Sequence, residues 1–284
     1  MNFFNLIKLQ IAKRLGYEKK YLSKLNLDDT FPCFAPRSGG DYYQRADLTI
    51  DSVNFTIPAL NLLSKSFKNK ELVVNNIKEV INDNVDYESG ERLASLLNEY
   101  GSDKAGKHDY FWLYGKILKK SSEIKKILEI GIGTNNTDVI SNMGEDGMPG
   151  ASLRAFKSFC KNANIYGADI DKRILFKEER IKTYFLDQTN LDSYKNLEKE
   201  IGDNFDLIID DGLHEPRANV YSLNFGLKLL KEGGWMVIED IYPAALPVWT
   251  NVSNILPENI FKTFIYKNKR NRLIFAVNKQ KIEK

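Results

Sequence analysis

Histidine and cysteine are scarce in this chain: its 284 residues include two of each. Cys33 and Cys160 lie far apart and match no metal-ligand spacing, which argues against a cysteine-held metal and leaves two free thiols, as a reducing cytoplasm predicts. Long apolar runs are missing too, so no segment has the length needed to span a bilayer. The N-terminus lacks the small-residue cleavage pattern of a signal peptide, and a cytoplasmic protein is expected. Neither sign of charge is in excess. The 41 basic and 38 acidic residues are intermixed and sum to +3, so there is no electrostatic case for a nucleic-acid partner. The most basic piece, Lys267-Asn268-Lys269-Arg270-Asn271-Arg272, sits between two apolar runs and reads as a solvated hairpin turn. There is no internal repeat and no low-complexity tract.

What is present is enough apolar residue, 43%, to bury one large α/β core with a smaller appendage. Residues 1–88 mix helical patterns with a loop of turn formers, Phe31 to Gly40, and form an accessory region suited to substrate enclosure or to contacts in a homo-oligomer. Within it, residues 1–22 carry Phe3, Phe4, Ile7, Ile11 and Leu15 at roughly helical spacing among lysines and an arginine. Packing onto the main domain or a sister subunit is preferred to a membrane surface as its use. Residues 89–284 alternate in a regular way. Helical patterns at 90–100 and 109–120 precede a strand at 126–130. Next come a helix at 151–161, a strand at 164–169, a helix or turn at 172–179 and a short strand at 182–186. A helix at 190–201, a strand at 205–210, a helix at 216–230 and a strand at 234–239 complete the series. This predicts a doubly wound, mainly parallel, Rossmann-like α/β sheet with helices on both faces. Two strand-like runs, 261–266 and 272–277, predict an antiparallel hairpin at its edge.

Chemistry-bearing residues collect at the predicted carboxyl ends of these strands. The run Phe205 to Ile209 ends in Asp210-Asp211-Gly212-Leu213-His214, and Trp235 to Ile238 ends in Glu239-Asp240. Acids on neighbouring strands, with a histidine after one of them, supply hard oxygen ligands and a titratable base at one sheet edge. The alternative is that Asp211 and His214 only cap a turn and a helix. Lys126 to Ile130 runs into Gly131-Ile132-Gly133, a turn that lets a ligand approach backbone. Glu129 precedes that turn, Asp169 and Asp171 end the next strand, and Asp187 ends the third. Asp171 also suits a helix cap. An NAD site is disfavoured. Asn136 stands where a third glycine is needed, Glu129 opposes a pyrophosphate, and the acid at 169 lies well beyond the usual spacing of about 20 residues. A cationic ligand without phosphate fits better, with the insertion Asn142 to Gly150 as a loop over it.

These segments, Glu129-Ile-Gly-Ile-Gly133, Gly150-Ala-Ser-Leu-Arg154, Ile165-Tyr-Gly-Ala-Asp-Ile-Asp171 and Asp210-Asp-Gly-Leu-His214 through Gly233 to Asp240, resemble the class I S-adenosylmethionine methyltransferases. More narrowly they are similar to the metal-dependent sugar O-methyltransferases of macrolide and surface-polysaccharide pathways. Gly101-Ser-Asp-Lys-Ala-Gly-Lys-His108 resembles that group's Gly-Thr-Asp-Lys-Gly…His element. The resemblance spans residues 90–278. It implies that Glu129, Gly131 and Gly133 line the methionine part of S-adenosylmethionine, Asp169 takes the ribose hydroxyls and Asp187 lies near the adenine. Asp171 and Asp210, at the same strand ends, complete the cofactor set. Asp211, Glu239 and Asp240 would hold Mg²⁺ or Mn²⁺, His214 would be the base, and His108 would close over the acceptor, its other reading being a surface histidine. Leu213 replaces an expected serine, and Tyr242 to Pro247 departs from the group's pattern, which leaves the acceptor open.

The chemistry is consistent without the family. A bound divalent cation stabilises an alkoxide while an imidazole accepts its proton, and a vicinal diol is the natural acceptor. The expected substrate is a sugar, free, nucleotide-linked or already polymerised, or another small molecule. Two other classes stay open: an O-methyltransferase of a different hydroxylated small molecule, and a non-catalytic methyltransferase-like binding subunit.

Overall fold

The computed structural model describes residues 27–36, 42–67 and 72–281. The amphipathic stretch 1–22 and part of the turn-rich loop lie outside the described residues. The chain forms two compact units that meet between Lys70 and Glu71. The boundary expected at 88/89 falls inside a helix, Asn84–Glu99. The reason is that residues 72–88 carry a strand and a helix start that pack with the larger unit.

In the first unit α1 (Leu27–Thr30) precedes α2 (Tyr42–Phe67). The Arg45 guanidinium donates to both Asp28 oxygens at 3.0 and 3.2 Å and to the Pro36 carbonyl at 3.1 Å. These bonds tie the start of α2 to the segment before it.

The second unit is built on a nine-stranded sheet. Its strands are β1 (Val74–Asn76), β2 (Lys126–Ile130), β3 (Asn164–Asp169), β4 (Lys177–Glu178), β5 (Ile181–Phe185), β6 (Phe205–Asp210), β7 (Leu230–Ile241), β8 (Phe261–Lys267) and β9 (Leu273–Lys279). Their order is β1-β8-β9-β7-β6-β2-β3-β5-β4. The central run from β7 to β5 is parallel, while β9 pairs antiparallel with β7 and β8. The C-terminal hairpin is therefore present, but β1 pairs parallel with β8 and lies outside it at the sheet edge. Three residues of strand were too short for a periodic pattern to reveal.

Helices cover both faces. They are α3 (Asn84–Glu99), α4 (Asp103–Gly106), α5 (Phe111–Ile117), α6 (Ala151–Phe159), α7 (Leu191–Ile201), α8 (Pro216–Leu229) and α9 (Leu246–Ile255). Alternate residues of β2 serve opposite cores. Ile127 belongs to the core that holds Leu93, Leu113 and Phe156, and Leu128 to the one that holds Leu197, Leu223 and Met236. This is the period of two of a strand covered on both sides. All six residues of β6 are buried. The helix starts carry ordinary signals: Asn190 accepts from Asp192 N before α7, and Glu215 accepts from Arg217 N and Ala218 N with Pro216 at the first turn of α8. Among the described residues no helix is long and apolar enough to cross a membrane.

The chain leaves β2 toward β3 and β5, then returns to place β6 and β7 on the other side. Between β2 and β3/β6 the direction of winding reverses, and in open α/β sheets the crevice at the carboxyl ends there is where ligands bind.

Candidate active site

A cavity of about 840 Å³ opens at that crevice. Glu129, Gly131, Gly133, Asp169, Asp187, Asp211, His214 and Asp240 are on its wall. The insertion after residue 140 contributes Ser141, Asn142, Met143, Asp146, Gly147 and Met148.

The glycine turn is dictated by its neighbours. Ile130 lies opposite Asp210 in the sheet, so Gly131 adjoins Asp211. At φ +83° a Cβ on Gly131 would come within 2.3 Å of the Asp211 carbonyl oxygen, so only glycine fits. Asp169 then pins the turn, its Oδ2 accepting from Ile132 N at 3.0 Å and its Oδ1 from Asp171 N at 2.9 Å. Burial pushes its carboxyl above the usual carboxylate range, against the pull of those backbone donors.

Asp171 and Asp210 are not among the residues that line the cavity. Asp171 accepts from Thr134 Oγ1, Asn136 Nδ2 and Arg173, chiefly the last, which holds its carboxyl well below the usual range. Asp210 is 0% exposed. It accepts from Gln188 Nε2 at 2.8 Å, Asn219 Nδ2 at 2.9 Å and Gly212 N at 3.2 Å. A buried carboxylate so satisfied builds the turn rather than the ligand surface.

The second acidic group forms around an ammonium. Lys104, in α4, is 2% exposed. Its Nζ lies 2.6 Å from Asp211 Oδ2, 2.7 Å from Glu239 Oε2 and 3.1 Å from Glu129 Oε1. Burial opposes its charge, but Asp211, Glu239 and Glu129 outweigh burial and hold its pKa well above the ordinary lysine value. Burial would raise Asp211, yet Lys104 and His214 keep it below its usual value. Glu239 is the acid driven well up, by burial and by the Asp211 charge. Tyr114 donates to Glu239 Oε1, Tyr110 donates to Asp240 Oδ1 at 2.5 Å, and Ser152 donates to Glu129 Oε2 at 2.5 Å.

Asp211, His214 and Asp240 each place one ligand atom within 4.8 Å of the others. In this group His214 stands where Glu239 was expected, because Lys104 and Tyr114 already engage both Glu239 oxygens and Glu239 is 1% exposed. The residues fit a divalent cation. Asp211 and Asp240 face the cavity, and Asp211, Glu239 and Glu129 share the single ammonium of Lys104. His214 Nε2 is 3.8 Å from Asp211 Oδ1, and its Nδ1 is buried without a hydrogen-bond partner among the described residues. His214 and Asp240 both have left-handed backbone, at φ +55° and +51°. Such strain in non-glycine residues gathers at functional sites.

His108 is buried, not a surface residue. It stacks on Tyr110 with ring centroids 4.7 Å apart, meets Asn268 Nδ2 at 3.1 Å and lies 3.7 Å from Asp240 Oδ1. Burial lowers its pKa against the attraction of Asp240. It stands behind the cavity wall, next to an acid that faces in. The sequence reading missed Lys104, Tyr110 and Tyr114 as site residues. The signal was present in the Gly-Ser-Asp-Lys stretch and in two tyrosines four residues apart, which share a helix face.

No protein-family model matches the chain. It is similar to the 8-demethyl-8-alpha-L-rhamnosyl tetracenomycin-C 2'-O-methyltransferase of Streptomyces olivaceus, at 30% identity over 158 residues. It is also similar to the demethylmacrocin O-methyltransferase of Streptomyces fradiae, at 33% over 157 residues. Each match covers 55% of this chain but only 39% and 38% of the relative. Among solved structures, the mycinamycin-pathway methyltransferase MycE in complex with Mg and SAH superposes with a TM-score of 0.55 at 23% identity, over 68% of this chain and 54% of MycE. The fold is therefore that of the Rossmann-like methyltransferases. Both of these curated relatives are named as O-methyltransferases, and the chain spans well under half of their length.

Proposed function

We propose that this chain is an S-adenosylmethionine-dependent O-methyltransferase that methylates a sugar hydroxyl in the biosynthesis of a surface polysaccharide or a glycosylated natural product. The observation that carries the reading is the junction of two subsites in one cavity. One is the Gly131 turn with Glu129 and Asp169, and the other is the Asp211, His214 and Asp240 group. The similarity to sugar O-methyltransferases supports it.

Glu129, on the cavity wall beside the glycine turn, would lie at the methionine end of the cofactor, Asp169 would take its ribose hydroxyls as a charge-assisted acceptor, and Asp187 would lie toward the adenine. Asp211 and Asp240 hold a divalent ion, with Glu239 behind them. Mg²⁺ prefers oxygen to imidazole, which leaves His214 to act on protons. The ion, when bound, lowers the pKa of an acceptor hydroxyl. His214 would accept that proton through Nε2, and S-adenosylmethionine, when bound, would supply the methyl group to the hydroxyl oxygen, its sulfonium becoming a neutral thioether. His108, Asn268 and Tyr110 fix the direction in which Asp240 faces. The segment Tyr242 to Pro247, just beyond Asp240, helps to select the sugar. The unit that ends at Lys70 serves substrate enclosure or subunit contact.

The test is incubation with methyl-labelled S-adenosylmethionine and a panel of nucleotide sugars and polysaccharide precursors, with Mg²⁺ or with EDTA. Ion-dependent label in a sugar is expected. Transfer only to a non-glycosidic hydroxyl compound would replace the acceptor class, and cofactor binding with no transfer to any acceptor would make the chain a binding subunit.

A further inference from the structure

The residue that the proposed chemistry leaves unused is Lys104. Its ammonium is almost wholly enclosed and touches one acid of the cofactor subsite, Glu129, and two of the ion subsite, Asp211 and Glu239. It comes from a short helix 107 residues before Asp211 and 135 before Glu239, so it closes the crevice from outside the strands that carry the acids. We propose that Lys104 is a resident counter-ion. It holds the acidic cluster together before any ion arrives, and it keeps the ion less tightly bound than the carboxylates alone would. The inference rests on the proposed function, which puts an ion beside Asp211 and Asp240.

Two features support it. The Lys104 Nζ lies at hydrogen-bond distance from Asp211 Oδ2, so an ion on the same carboxylate meets a fixed positive charge a few ångströms away. Even at an effective dielectric constant of about 20, that repulsion amounts to several RT. In addition, Lys104 and Tyr114 take both Glu239 oxygens, and Lys104 and Ser152 take both Glu129 oxygens. The buried acids are thus paired without an ion, and the subsite is assembled in advance. A lysine that only braced the structure would have the opposite signature, because its loss would disorder the acids and weaken ion binding.

The experiment compares the native chain with Lys104→Met, which keeps length and removes charge. Mn²⁺ binding is measured by calorimetry, and thermal unfolding is followed with Mn²⁺ and with EDTA. Mn²⁺ should bind the variant at least tenfold more tightly. The variant should melt lower than the native chain in EDTA and gain more from Mn²⁺ than the native chain does, since a ligand stabilises by its occupancy of the folded state. Adding Asp240→Asn to the variant should remove the gain, which locates the ion. If Lys104→Met does not fold in EDTA, refolding in Mn²⁺ is the expected result. Equal or weaker Mn²⁺ binding by the variant, or failure to refold with Mn²⁺, overturns the inference while leaving the proposed function in place. Absence of Mn²⁺ binding by both proteins overturns the inference together with the ion of the proposed function.

Discussion

Replacing Gly131 by alanine should separate the effect of close backbone approach from that of backbone conformation alone. The added Cβ would sit 2.3 Å from the Asp211 carbonyl oxygen, 2.5 Å from its carbon and 2.5 Å from Gly212 Cα. All three are backbone atoms, so no side chain can swing away. To relieve the contact, the ends of β2 and β6 must part, which strains the bonds from Asp211 N to Ile130 O and from Gly131 N to Ala168 O, both 2.8 Å. The left-handed conformation costs alanine about 1–2 kcal/mol, and overpacking adds about 1–3 kcal/mol. Reduced freedom of the unfolded chain returns about 0.4–1 kcal/mol, leaving a net loss of about 1–5 kcal/mol. Gly133→Ala is the control. Its φ is +78°, nearly the same, but the added Cβ would meet only the Met143 side chain at 2.4 Å, which can rotate. About 1 kcal/mol is expected there. Urea denaturation at constant m measures both losses. Calorimetry with S-adenosylhomocysteine should show Gly131→Ala weaker than Gly133→Ala, because the former also displaces Asp211. Equal losses at the two glycines, or an undisturbed Gly131→Ala, would refute the reasoning.

Asp169→Ala should lose S-adenosylhomocysteine affinity by at least tenfold in calorimetry, since both the ribose acceptor and the anchor of Ile132 N disappear; unchanged affinity in a folded variant would remove the assignment. His214→Ala should keep cofactor affinity and lose roughly two to four orders of magnitude in turnover, the span of a general base, and a larger loss for His108→Ala would transfer the role. Activity should vanish in EDTA and return with Mg²⁺ or Mn²⁺, and full turnover without metal would recast Asp211 and Asp240 as substrate contacts. Burial pushes the Cys160 thiol up to about 12, so at about pH 8 it stays protonated and unreactive. Cys33 is exposed, so Ellman's reagent should titrate one thiol in the native protein and two in urea.

The central parallel strands were legible because each is a short, apolar-rich segment whose end carries an acid or runs into a glycine turn. β2 and β6 match the expected limits, Lys126–Ile130 and Phe205–Asp210, since burial on both faces leaves no other reading of such runs. Local chemistry also showed which carboxylates end the strands. It did not show which of them face a ligand. Asp210 and Asp211 are adjacent in sequence, yet alternation along the chain end sends one into Gln188 and Asn219 and the other to the cavity. Their partners lie far away in sequence, where no periodicity reaches. The same holds for Lys104, whose three acids come from three separate strand ends and whose charge is set by burial among them. The division at residue 70 and the edge strand β1 likewise follow from pairing with β8, nearly two hundred residues downstream. Composition and local pattern determined the elements and the candidate acids. Long-range packing alone decided which charges meet, because electrostatic pairing depends on distance in space, not along the chain.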